Sequence, residues 1–225
     1  VFDPSFQPIV NLDVDVRDPF TGVKLYTPGD NTDNNGFVDF VVPQGVYDIE
    51  ICPQFALGLV PHLFGNTPIN ATTNLGIVSL AAGVALTGTV TSHLGPVVGG
   101  VDVDVVDSAT QLPVFVCDDN TNGAGLYQVV VPTGQYDLIF APPYSAHLAS
   151  SVEVGVVVNG ATSRNAALTF CDCGTPSGPG GAGSAGLVPQ DTAIGGSHRL
   201  GKPDRGFDVP NGLPAGLGPV LFHLP

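Results

Sequence analysis

The chain has 225 residues, 43% of them hydrophobic and only 12% charged, with 30 Gly and 21 Pro. That much apolar material excludes a disordered polymer and supplies two small cores, while the Gly and Pro suit short strands joined by turns rather than long helices. Twenty acidic residues against six Lys plus Arg give a net charge of −14. Such a surface repels phosphate backbones, which excludes nucleic acid as a partner, and no run of 18 apolar residues offers a membrane span.

Val1 opens the chain with no Met and no signal-peptide pattern, the start expected of a processed exported product or of a fragment. Residues 1–9 form a short segment in which alternation puts Phe2 and Phe6 on one face, and Pro4 suits a strand with a free edge because proline cannot donate to a ladder. Leu12, Val14 and Val16 then alternate with Asp13 and Asp15, the pattern of a half-buried strand. A polar turn, Asp30–Gly36, follows. Its Asn31, Asp33, Asn35 and Gly36 resemble half of a calcium-binding loop, but the bidentate Glu such a loop needs falls on Val42. Asp30 and Asp33 are therefore weak Ca²⁺ candidates, and no metal or cofactor is expected. Phe37–Val42 reads as a strand, and Pro43, Gly45 and Tyr47 as a tight turn whose tyrosine packs inward and bonds the turn backbone. A further strand is expected near Leu75–Leu80.

Past the joint Ala81–Gly83 the same text recurs without a gap. Leu12–Pro53 matches Val101–Pro142 at a constant offset of 89, so that Pro132, Gly134 and Tyr136 repeat the turn of Pro43, Gly45 and Tyr47. The second copy has one element more, an opening strand marked by Leu86, Gly88 and Val90. Two modules follow, residues 10–80 and 84–170, the second closing with a strand at Ala166–Phe170. Residues 171–186 are Gly/Pro/Ser-rich and read as a linker, whose G-x-G-x-x-G string lacks the strand and helix that a dinucleotide site requires. Residues 187–225 form a tail with short strands. It holds Arg199, Lys202 and Arg205, and ends in Val220, Phe222 and Leu224 on one face of a short strand. Cys52, Cys117, Cys171 and Cys173 allow two disulfides in three connectivities, and their spacing does not suit zinc.

The strings T-D-x-x-G-x-Y and P-x-G-x-Y-x-aliphatic, together with Leu86–Gln111, resemble the carboxypeptidase regulatory-like modules, which are small prealbumin-like β-sandwiches of Ig-like shape. The resemblance implies an all-β fold of two tandem Ig-like, prealbumin-like antiparallel sandwiches, the first lacking its opening strand. It implies little about function, since such modules serve many secreted and surface proteins. The prealbumin-fold hydroxyisourate hydrolases end in Tyr-Arg-Gly-Ser, which is absent here. The five scattered histidines come with no nucleophile elbow, and no catalytic residue is expected.

Counting back 89 from the second opening strand runs off the start of the chain. The first sandwich is therefore expected to lack an edge strand and to expose unpaired backbone groups beside an apolar groove. Two donors are visible, Val1, Phe2, Pro4 and Phe6 at one end and Val220, Phe222 and Leu224 at the other. The expectation is a secreted, cell-surface, non-enzymatic subunit of a fibre or pilus-like helical filament. Its copies would join by strand addition, a logic that resembles donor-strand-exchange pilus subunits, with Arg199, Lys202 and Arg205 contacting the acidic face of a neighbour. The alternative is a non-catalytic binding or accessory module of a larger secreted protein. Its partners would be carbohydrate, Ca²⁺ or neighbouring surface proteins.

Overall fold

A computed structural model describes residues 1–171 and the backbone of Val220–His223. It is all-β. In the first sandwich one sheet runs β1 (Asp13–Arg17), β3 (Gly45–Cys52), β4 (His62–Ile69), all antiparallel, with Val14 opposite Ile51 and Val16 opposite Ile49. Alternation decides which face is buried. Val14, Val16, Ile49 and Ile51 point inward and are fully buried, while Asp13 and Asp15 point outward. Burying each such aliphatic contributes about 1.5–3 kcal/mol. The facing sheet holds β2 (Val41–Val42), β5 (Thr73–Asn74) and, between them, β13 (Val220–His223).

The second sandwich repeats the plan 89 residues on. β7 (Asp102–Asp107), β9 (Gly134–Ala141) and β10 (Ser151–Val158) form one sheet. The other comprises β6 (Val84–Ser92), β8 (Leu126–Val131), β11 (Thr162–Ser163) and β12 (Ala166–Leu168). Even the 3₁₀ turns correspond: Phe55–Leu57 and Tyr144–Ala146 each end on a left-handed residue, Gly58 and His147. Each sandwich closes over its own apolar core.

The opening strand of the second sandwich is not an edge. β6 lies mid-sheet, antiparallel to β8 on one side and parallel to β11 and β12 on the other. The expectation of a missing edge strand is corrected accordingly: the equivalent position in the first sandwich is the centre of a sheet, and β13 occupies it there. A sheet without its middle strand has two bare edges and an open core, a larger deficit than one lost edge.

The two sandwiches are clasped at three places. Cys52, at the end of β3, is disulfide-bonded to Cys117 of the second module. Val60 donates its amide to Ala81, and Gly83 donates to Gly58. Gly83 packs so closely that a Cβ there would lie 2.5 Å from Val130 and 2.8 Å from Val60, so no larger residue fits without displacement. Cys171 is also disulfide-bonded. Among the described residues no helix is long and apolar enough to cross a membrane.

The Cys52–Cys117 bond closes a loop of sequence separation 65, for which chain-entropy arguments give about 4 kcal/mol. Replacing both residues by Ser is expected to lower the calorimetric unfolding midpoint by roughly 10 °C. Mild reductant should produce the same shift in the native chain and a much smaller one in the variant.

Candidate functional site

The place where the first sandwich departs from its copy is the centre of its second sheet. β13 runs antiparallel to β2, with Val220 opposite Val42 and Leu221 opposite Val41, and parallel to β5, with Phe222 beside Thr73 and His223 beside Asn74. In the second sandwich Val84 and Ala85 face Val131 and Val130, and Leu86 and Thr87 pair with Thr162 and Ser163. Under the offset of 89 these partners are the same positions. The backbone of Val220–His223 therefore stands where Val84–Thr87 stand in the copy.

The rest of the absent strand comes from the other end of the chain. Val1 donates its nitrogen to the carbonyl of Gly36 and accepts from Ile9 at 3.0 Å. Its counterpart Val90 donates to Gly125 at 2.8 Å and accepts from Val98 at 2.9 Å. Phe2 donates to Val78 and accepts from Leu80, both at 2.8 Å, as a parallel neighbour of Ser79. Val1 is 1% exposed and belongs to the first core with Ile9. One nine-residue strand of the second sandwich is thus represented in the first by two pieces from opposite ends of the chain, separated by the counterparts of Gly88 and Thr89.

Phe6 does not share a face with Phe2, contrary to the alternation. Asp3 accepts amide bonds from Ser5 and Gln7, which bends the chain into a turn. Phe6 sits in that turn with φ 58° and is 68% exposed, and Pro4 lies exposed in the same turn. Residues 1–9 fold back as part of their own sandwich instead of projecting as a strand.

The loops that hold the groove are built on repeated polar pegs. Thr32 and Thr121 are nearly fully buried. Each hydroxyl donates to a carbonyl (Ile9, Val98) and accepts an amide (Leu12, Val101), tying a turn to the segment that leads into β1 or β7. Tyr47 and Tyr136 donate to the carbonyls of Pro43 and Pro132 at 2.9 and 2.8 Å. A Cβ on Gly45 or Gly134 would come within 2.8 Å of the tyrosine oxygen, so glycine is required for the ring to close on the turn. Asp33 accepts the amides of Asn35 and Phe37, as Asn122 accepts those of Ala124 and Leu126. The carboxylate of Asp33 is therefore engaged in a turn and apart from Asp30, which lies with Asp13 and Asp15 instead, their oxygens within 4.8 Å of one another.

That acidic trio has its cation in the first module. Lys24 is ion-paired with Asp15 and lies 3.7 Å from Asp13, and Arg17 pairs with Glu50 at 2.7 Å. Hydrogen bonding to Asp15 raises the Lys24 ammonium above its ordinary range, and bonding to Glu50 does the same for Arg17. The second module keeps the carboxylates as Asp102, Asp104 and Asp119, but Pro113 replaces the lysine, Val106 the arginine and Ile139 the glutamate. Burial, and then repulsion from Asp102, pushes Asp119 up to about 6; burial also raises Asp102 and Asp104.

Arg199, Lys202, Arg205, Leu224 and Cys173 lie outside the described residues, as do the linker and most of the tail. Val41 and Val42 fall in the strand expected at Phe37–Val42, but neither their acceptor role nor the strand Thr73–Asn74 was expected from the sequence. The offset of 89 continues to Thr73 and Thr162, so the signal was there, but two-residue strands carry no periodicity of their own.

No family model and no curated protein matches the chain. Among solved structures it is similar to the TIE protein of Bacillus anthracis, at 12% identity and TM-score 0.32. That alignment covers 75% of this chain and 32% of the TIE protein, so the chain spans about a third of that protein's length. It is also similar to a substituted form of the shaft pilin SpaA from Lactobacillus rhamnosus GG, at 11% identity and TM-score 0.34, covering 75% of this chain and 95% of the pilin. A doubly substituted SpaA aligns at 9% identity and TM-score 0.30, over 81% and 90% of the two chains.

The two acidic trios call for opposite responses to neutralisation. Asp119 titrates higher folded than unfolded, so the stability tied to its proton is present below about pH 4 and is lost as pH rises through about 6. Asp119→Asn is expected to raise the unfolding midpoint at pH 7, with the gain fading towards pH 4. Lys24→Gln should lower the midpoint at pH 7 by roughly 1–3 °C, since the pair is half exposed, and the loss should shrink as the carboxylates protonate. Thermal melts from pH 4 to 8 check both signs.

Proposed function

We propose that the chain is a structural, non-catalytic subunit of an extracellular fibre, joined to its neighbours by completing each other's first sandwich. One observation carries this reading. In the first module a strand from far along the chain, Val220–His223, stands between β2 and β5 in the register that β6 holds in the second module. Left empty, that position would bare backbone donors and acceptors along β2 and β5 and open the core that holds Val42, Val78 and Leu80. A fold that needs a remote strand for completion is suited to assembly, because the strand can belong to another copy.

Two further features support a surface or secreted setting. The cysteines at 52, 117 and 171 are disulfide-bonded, which suits an oxidising compartment. The joint between modules is clasped by a disulfide and by close packing at Gly83, as suits a unit that must transmit load rather than flex.

Negative-stain electron microscopy and light scattering of the full chain test the reading. Concentration-dependent filaments of uniform width are expected. A single population of monomer-sized particles up to about millimolar concentration, in the presence or absence of Ca²⁺, would sink it.

A further inference from the structure

We infer that the donor is the C-terminal strand, Val220–His223, of a second copy, and that each chain gives one such strand and takes one, so that copies join head to tail. This rests on the fibre reading above and specifies its contact.

The two candidate pieces are not equivalent. Val1 is locked in its own module on every side: its nitrogen bonds Gly36, its carbonyl bonds Ile9, and its side chain lies in the first core. A Cβ on Gly36 would lie 2.4 Å from the Val1 carbonyl, so the turn closes directly over this residue. From Val1 the chain returns through the Asp3–Gln7 turn to Ile9 and β1 with no slack. This piece cannot leave its groove without unmaking the module it belongs to.

The C-terminal piece has the opposite property. In the second sandwich the strand enters from Ala81–Gly83, immediately beside it, so connectivity dictates that β6 fills its own module. In the first sandwich the equivalent strand arrives after residues 172–219, a stretch with a fully extended reach of roughly 160 Å. Connectivity then says nothing about whose groove is filled, because the same register and the same backbone bonds are available in any copy within reach.

Valence and polarity follow from the pairing. The second sandwich is closed by its own β6, which pairs with β8 from Val84 to Thr89, so it offers no vacancy. One acceptor and one donor per chain make a heterologous contact, which builds an unbranched filament or, if the rotation closes, a ring. The donor is antiparallel to Val41–Val42 and parallel to Thr73–Asn74, which fixes its direction along the groove.

Variants of the full chain with one added cysteine, the native cysteines kept, separate the alternatives. Val41 and Leu221 are direct partners and Val41 is half exposed, so Val41→Cys is a mild change. Mixing the Val41→Cys and Leu221→Cys proteins under oxidation is expected to give at least tenfold more covalent dimer than either alone. The same mixing of Phe2→Cys with Ser79→Cys should give none, whereas the double variant closes that bond within one chain. No dimer from the first mixture, with internal closure of the Val41→Cys/Leu221→Cys double variant, overturns the inference. If cysteine at 41 perturbs folding, a benzophenone side chain at that position and mass-spectrometric mapping of its cross-link to an isotope-labelled second copy give the same readout. Filaments that form without either cross-link overturn the donor assignment and leave the fibre reading standing. Cross-linked closed pairs without filaments support the assignment and sink the fibre.

Discussion

Everything particular to this chain follows from the need of a mid-sheet position to be filled. A backbone placed between two strands must satisfy hydrogen-bonding groups on both of its sides, and a vacancy there leaves groups on two neighbours exposed as well. In the second sandwich β6 meets this demand with a single continuous strand between β8 and the pair β11 and β12. In the first, Val1 and Phe2 meet part of it, and Val220–His223 meet the part between Val41–Val42 and Thr73–Asn74. Because these bonds are backbone bonds in a fixed register, they ask little of the donor's sequence. This explains how Val220–His223 can match Val84–Thr87 in position while sharing only the leading valine.

The rest of each module is arranged to keep that position well defined. The buried threonines Thr32 and Thr121 hold the polar turns against the segments that lead into β1 and β7, and the tyrosine turns at Pro43 and Pro132 fix where the long central strands β3 and β9 begin. Several other acidic residues serve as turn clasps. Asp18 and Asp107 accept amides from the residues that follow them, and Asp48 and Asp137 bond Asn66 and Gly155 across the hairpin. Their charge is carried as the counterpart of that geometry.

The duplication has also diverged in charge. The first module balances its outward carboxylates with Lys24 and Arg17, whereas the second replaces both and leaves Asp102, Asp104 and Asp119 together. The two modules carry similar net charge, and the difference lies in how the outward carboxylates of the repeated strand are paired.

Much of this was legible from residues alone. Period-2 alternation at Leu12–Val16 and Val101–Val105 gave the strands and their buried faces, and the constant offset of 89 exposed both the tandem plan and the missing element. These are local or repeated signals, and local chemistry suffices for them. Three things needed the tertiary structure. That the missing strand is central rather than peripheral depends on sheet order, which is a non-local pairing. That Phe6 turns away while Val1 enters the core depends on the Asp3 carboxylate capturing two amides, a competition that alternation does not register. That a four-residue strand at the far end of the chain takes the register of Val84–Thr87 was beyond the sequence, because backbone hydrogen bonds carry the match and side-chain identity does not encode them.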